Sequence, residues 1–170
     1  MRQIWYLLKY QVSNKKDYLD KSPFMGFRDI EEILCFQYQR MMRYGGTWHL
    51  ERRMVLPGYI FVSGPEALTE QMWKWSKEGK RGVLMAPCEV PYLKAMCQNG
   101  SLIGMSRGII KNGAAVVTSG PLKGRERLIQ RIDRHKRTAE IEIPLAGGRK
   151  RVTVGLEIYE KVKQEEKVTI

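Results

Sequence analysis

Several absences narrow this chain of 170 residues before any motif is read. Nowhere do roughly 18 apolar residues run together, as a membrane-spanning helix needs. The opening MRQIWYLLKYQ carries too short an apolar run for a secretory signal, so a cytoplasmic protein without membrane contact is expected. Only three cysteines occur, Cys35, Cys88 and Cys97. They are odd in number and at no metal-ligand spacing, which argues for reduced, buried thiols rather than a disulfide framework. The two histidines, His49 and His135, stand apart, and a metal site needs three or four convergent ligands. No G-x-x-x-x-G-K-S/T, G-x-S-x-G or H-E-x-x-H occurs, and Gly104 and Gly108 follow no expected βα unit. No catalytic residue, metal or cofactor is therefore expected.

Acidic residues are the other shortage. Against 30 Lys and Arg there are 18 Asp and Glu, a formal charge of +12. Such an excess favours a polyanionic partner. It is densest between Lys123 and Arg151, where ten basic residues face four acidic ones. With 43% apolar residues the chain can still bury a core.

IWYLLKY, at residues 4–10, has the β-branched and aromatic content of a strand. Residues 14–27 allow a short helix that Pro23 and Gly26 limit to about two turns. FRDIEEILCF suggests another turn of helix. Two strand-like arms then flank Gly45-Gly46, a hairpin signal, and the second ends LPGYIFVSG. PEALTEQMWKWSKEG places Leu68, Met72 and Trp75 at helical spacing, with Gly79 as a stop. GVLMAP reads as a short strand and PYLKAMC as a short helix. NGSLIGMSRG, residues 99–108, reads as a linker between two units. Beyond it five strands are expected, at 114–118, 127–132, 138–143, 150–154 and 157–161, enough for a small barrel. The last seven residues, QEEKVTI, read as a frayed tail.

Three stretches taken together, IWYLLKY, LPGYIFV and VVTSGPLKGRERLIQRID, resemble in order and extent the NusG family of transcription elongation factors. The last has the form of a KOW motif. RIDRHKRTAEIEI followed by GLEIYEK is most similar to the LoaP antiterminator branch. The resemblance implies an α+β protein. Residues 1–98 would be an NGN domain, an antiparallel sheet with helices that binds the clamp helices of RNA polymerase. Residues 99–108 would be the linker, and 109–170 an all-β, SH3-like KOW barrel that binds a structured leader RNA, a hairpin. Contact with non-template DNA near Ser63, Gly64 and Arg81 is conceivable on the same grounds, and a monomer is expected. Leu56 stands where the family usually has Phe, and Pro23 and Gly26 fall where it has a long first helix.

Within this frame Arg134, His135, Lys136 and Arg137 link two expected strands and can project together. Lys123, Arg125 and Arg127 in one loop, and Arg149, Lys150 and Arg151 in another, can join them, with Arg131 on the strand between. Guanidinium forks match phosphate, hydrogen-bond a guanine edge and stack on unpaired bases. A solvated basic face is the plain alternative. Tyr6, Leu56, Pro57 and Tyr59 are the candidates for polymerase contact, as an exposed apolar patch beside a prolyl turn, with Trp5 and Phe61 inward. Two other functions fit the same residues: a general elongation factor whose barrel binds a ribosomal protein or termination factor, and a ribosome-associated KOW RNA-binding protein.

Overall fold

β1 (Ile4–Lys9) sends alternate side chains to opposite faces, as a strand must, and both faces are covered. Tyr6 and Leu8 pack with Ile60, Val62, Leu68 and Met72. Trp5 and Leu7 turn the other way, into a cluster with Phe36, Phe61, Val90, Leu93 and Met96. A strand buried on both sides reads as an unbroken apolar run, which is why IWYLL shows no polar alternation. β1 lies inside a four-stranded sheet of order β2-β5-β1-β6, with β2 at Glu32–Leu34, β5 at Tyr59–Gly64 and β6 at Gly82–Leu84. Helix α1 (Ala67–Lys77) supplies Leu68 and Met72 to one face, and α2 (Glu89–Ala95) supplies Val90 and Leu93 to the other.

This computed structural model describes residues 3–9, 28–77, 82–84, 89–98 and 100–163. The helix expected within 14–27, the tail after 163, Arg81 and Cys88 lie outside the described residues, as do the side chains of Trp73 and Trp75. In FRDIEEILCF the chain turns at residues 28–29 and is extended by 32–34, which pair with β5 as β2, and no helix occurs there among the described residues.

β3 (Gln37–Tyr44) and β4 (Thr47–Met54) form the hairpin that Gly45-Gly46 signals. Both glycines have positive φ, 59° and 79°, the type I′ geometry that matches strand twist. β7 (Leu102–Ile103) adds to β3 in parallel. The presumed linker is thus corrected: β7 and the start of β8 fall inside 99–108, and Ile103 and Ser106 are buried.

The C-terminal half is a five-stranded sheet of order β10-β11-β12-β8-β9. Its strands are β8 (Ser106–Lys111), β9 (Ala114–Ser119), β10 (Ile129–Asp133), β11 (Thr138–Leu145) and β12 (Gly148–Val162). β8 was not expected, and the two strands expected at 150–154 and 157–161 are one strand of 15 residues. That strand changes partner midway. Gly148 to Gly155 pair antiparallel with β11, and Leu156 to Val162 pair in parallel with β8. By strand pairing β9 and β10 are the edges, and no ladder joins them among the described residues. The molecule is mostly β, in three sheets with two short helices among the described residues. No helix there is long and apolar enough to cross a membrane.

The two halves share one core. Ala139, Ile141, Ile143, Val152, Val154 and Leu156 of the C-terminal sheet belong to the same apolar cluster as Trp5, Phe36, Leu56 and Phe61. Phe36 and Phe61 meet edge to face with centroids 5.0 Å apart. Two further contacts lock the halves. The buried Glu89 carboxylate accepts the N–H groups of Ala146 and Gly147, each at 3.1 Å, across the tight turn between β11 and β12. Where β3 crosses β12, a Cβ on Gly155 would meet the Gln39 carbonyl oxygen and the Met105 sulfur. Only glycine permits that approach.

Candidate nucleic-acid interface

The basic turn between β10 and β11 is set by its own sequence. Asp133 Oδ1 accepts the backbone N–H of Lys136 at 2.9 Å, an Asx-type closure. That hydrogen bond is the main reason the Asp133 carboxyl is held below its ordinary range, with the nearby Lys136 charge assisting. Arg134, His135 and Lys136 are exposed.

Arg137, expected to project with them, is half-buried instead. Its backbone has a φ of 51°, and its side chain is turned inward onto the molecule. The guanidinium pairs with Glu157 at 3.3 Å and lies 3.7 Å from the Trp48 ring centroid. Glu157 also takes Arg107 at 3.1 Å, and Arg107 in turn covers Tyr159. Arg137 is thus committed to joining β4 to the C-terminal sheet.

The remaining basic residues divide. Register puts the 134–137 turn at one end of the β11–β12 ladder, where Thr138 faces Gly155, and Arg149 near the other, where Leu145 faces Gly148. Seven residue steps separate those ends, roughly 23 Å. Arg149 pairs with Glu142 at 3.4 Å. In the loop before β10, Lys123 and Arg127 are exposed, while Arg125 donates to the Pro121 carbonyl at 2.9 Å. Glu126 braces that loop by accepting from Val117 and Gly124. Its carboxyl is held low chiefly by its own backbone N–H, helped by those two. Arg149 and the 134–137 turn thus lie at opposite ends of that ladder.

What the fold does assemble is a groove between the two halves. Arg131, Glu140 and Thr153 form a row across β10, β11 and β12, on the face opposite the buried Ala139, Ile141, Val152 and Val154. β3 approaches this row, bringing Tyr38 and Arg40, and Lys136 and Asp133 close the end, around a cleft of about 240 Å³. A second cleft, about 290 Å³, shares Tyr38 and Thr153 with the first and continues past Arg151 and Lys150 to Tyr59 and Pro57. The Lys150 ammonium lies 5.9 Å from the Tyr59 ring centroid. Five cations and two tyrosines thus line one groove, with Asp133 and Glu140 at one end. Tyr38, Arg40, Glu140 and Thr153 were not singled out from sequence. Their one signal is alternation along β3 and β11, which gives each a face but not the neighbour it meets.

The expected polymerase patch is corrected too. Tyr6 is 6% exposed and donates its hydroxyl to Thr69 at 2.7 Å, and Leu56 is 3% exposed within the shared core. Both are core residues because α1 covers one face of β1 and the C-terminal sheet covers the segment 55–56. Pro57 is exposed and Tyr59 half-buried, while Trp5 and Phe61 are inward as expected. In the N-terminal half, large apolar side chains that reach solvent among the described residues are Tyr44, Trp48 and Leu50, on the β3–β4 hairpin. Tyr44 stacks on His49 at 3.7 Å. Ser63 is fully buried, bonded by Gln3, which removes it as a DNA contact. A Cβ on Gly64 would meet the Asp29 carbonyl oxygen.

Burial pushes the thiols of Cys35 and Cys97 up to about 11, so neither is a ready nucleophile. Among the described residues no group of three or more His, Cys, Asp or Glu is placed to hold a metal ion. No protein-family model matches the chain, and no curated protein sequence matches it.

Proposed function

We propose that this chain is a NusG-type processive antitermination factor, which holds RNA polymerase through its N-terminal half and a nascent RNA hairpin through its basic C-terminal half. In this reading β8 to β12 curl into an SH3-like KOW barrel, with the partner change in β12 as the bend. The observation that carries the reading is the groove, where Arg40, Arg131, Lys136, Lys150 and Arg151 meet Tyr38 and Tyr59. Clustered cations neutralise phosphate, and the half-buried Tyr59 beside Lys150 offers an aromatic ring to an unpaired base. On the polymerase side, Tyr44, Trp48 and Leu50 offer an exposed apolar surface for a partner helix, with Pro57 and Tyr59 accessible at the groove mouth.

A general elongation factor, with a protein rather than RNA on the C-terminal sheet, draws support from Val116 and Tyr159. They are 40% and 48% exposed, on β9 and β12. The deciding experiment titrates the whole chain against a leader hairpin and a scrambled RNA across a salt series, alongside co-purification with RNA polymerase. Hairpin preference that persists at higher salt supports the antiterminator. Equal, steeply salt-dependent binding to both RNAs, with polymerase retained, supports the general factor.

A further inference from the structure

The cleft at the 134–137 end of the groove differs from the rest of the basic surface. A site that only gathers phosphate has no use for carboxylates, yet Glu140 and Asp133 line this cleft among Arg40, Arg131 and Lys136. Asp133 is engaged in closing the turn. Glu140 is not engaged: among the described residues no ion pair or hydrogen bond uses it, although Arg131 is its cross-strand neighbour. The Nε of Arg40 is buried without a hydrogen-bond partner. A carboxylate without a partner, set among three cations in a cleft of this size, describes a site that a ligand with both donors and acceptors completes.

The ligand must bring acceptors for guanidinium and donors for carboxylate on one flat frame. Phosphate offers acceptors only. Among the bases, guanine offers both in paired sets, with O6 and N7 as acceptors on one edge and N1–H and the N2 amino group as donors on the other. Uracil has no amino group. Tyr38, only 6% exposed, closes the cleft from the shared core, and Thr153 adds a hydroxyl to its lining.

We propose that this cleft seats one unpaired guanine of the bound RNA, its donor edge on Glu140 and its acceptor edge on Arg40 or Arg131, with the flanking phosphates led along Lys136 and toward Lys150. The inference rests on the RNA-binding reading above and adds base selection to it. The site needs both halves of the chain, since Tyr38 and Arg40 come from β3 and the remainder from β10 to β12.

Three stem–loop RNAs with one stem test it on the whole chain: a uridine loop with a single guanosine, the same loop with inosine, and a loop of uridine alone. Inosine lacks only the N2 amino group. Guanosine is expected to bind about tenfold or more tighter than the other two. Glu140→Gln, with unchanged melting, should erase that preference, and Arg40→Ala should weaken the guanosine loop most. Plain electrostatics predicts the opposite sign for Glu140→Gln, because removing a negative charge tightens any polyanion. Equal binding of the three RNAs to the unaltered protein, or uniform tightening by Glu140→Gln, overturns the guanine site while leaving RNA binding in place. Binding of none of them overturns the RNA-binding reading, and the guanine site with it.

Discussion

The guanidinium of Arg137 lies 3.7 Å from the ring centroid of Trp48, a contact between residues 89 positions apart in sequence. Cation–π pairs contribute about 0.5–2 kcal/mol, and this one is reinforced by the Glu157 ion pair on the same guanidinium. Arg137→Ala should therefore lower unfolding free energy by about 1–2 kcal/mol, and Trp48→Ala by a similar amount. A double-mutant cycle in urea should return a coupling of about 1 kcal/mol. Coupling near zero would mean that the β4 contact does not brace the C-terminal sheet.

Glu89 offers a larger effect. Two backbone N–H groups end on its carboxylate, and hydrogen bonds to charged groups contribute about 1.5–3 kcal/mol each. Glu89→Ala should cost about 2–4 kcal/mol, with Glu89→Gln intermediate because one oxygen remains. Hydrogen exchange at Ala146 and Gly147 should rise in the alanine variant, and unchanged protection there would show that the turn is held by something else.

The crossing at Gly155 has no room for a methyl group. Gly155→Ala should destabilise by about 1–3 kcal/mol or more, since the Gln39 backbone carbonyl stands in the way along with the more yielding Met105 side chain. Limited proteolysis of that variant should cut between residues 98 and 105, where the halves are joined. Resistance equal to that of the unaltered chain would contradict the close approach.

Acid should weaken the basic turn. Asp133 and Glu126 both have carboxyls held below their ordinary values by backbone N–H groups. A depressed folded value means that the stabilisation is present above the unfolded carboxylate range and is lost as pH falls through the folded value. Asp133→Asn and Glu126→Gln should flatten the acid limb of the stability profile and leave its neutral limb with the same slope. An acid limb as steep as before would locate the proton uptake elsewhere.

The thiols give a chemical check on the core. With Cys35 and Cys97 near 11, only roughly a thousandth of either is thiolate at pH 8, so alkylation should run roughly a hundredfold slower than for a free cysteine. In a Cys88→Ser background iodoacetamide should label the protein slowly until denaturant is added. Fast labelling in native buffer would show that the core opens.

Strand identity was readable wherever one local rule decided it. Gly45-Gly46 announced its hairpin because type I′ turns demand positive φ, and the apolar run at residues 4–8 announced β1. Asn112-Gly113 carries the same hairpin signal, yet β8 was missed because the glycines and serines just before it resemble a linker. Their smallness serves another end: Gly108 lies against the backbone of Val116 and Val117. The groove was hidden for a different reason. Alternation predicts which side of a strand Arg40 or Glu140 occupies, but not that β3 comes to rest across β12, which depends on a glycine at 155 and a shared core. The burial of Tyr6 and Leu56 was likewise a matter of what covers them, and covering elements are not local information.

Among the described residues, β12 is the strand on which the C-terminal half is joined. β12 pairs with β11 through a two-residue turn, but with β8 only across some 45 residues of intervening chain. Its parallel ladder carries a loop-closure cost that the hairpins do not. β12 is also the strand that ladders the β8–β9 hairpin to the β10–β11 hairpin among the described residues. The groove, with Arg131 and Glu140 on β10 and β11 and Thr153 on β12, therefore depends on that strand being in place. On the RNA-binding reading proposed above, loosening the β12 ladders should cost RNA affinity as well as stability.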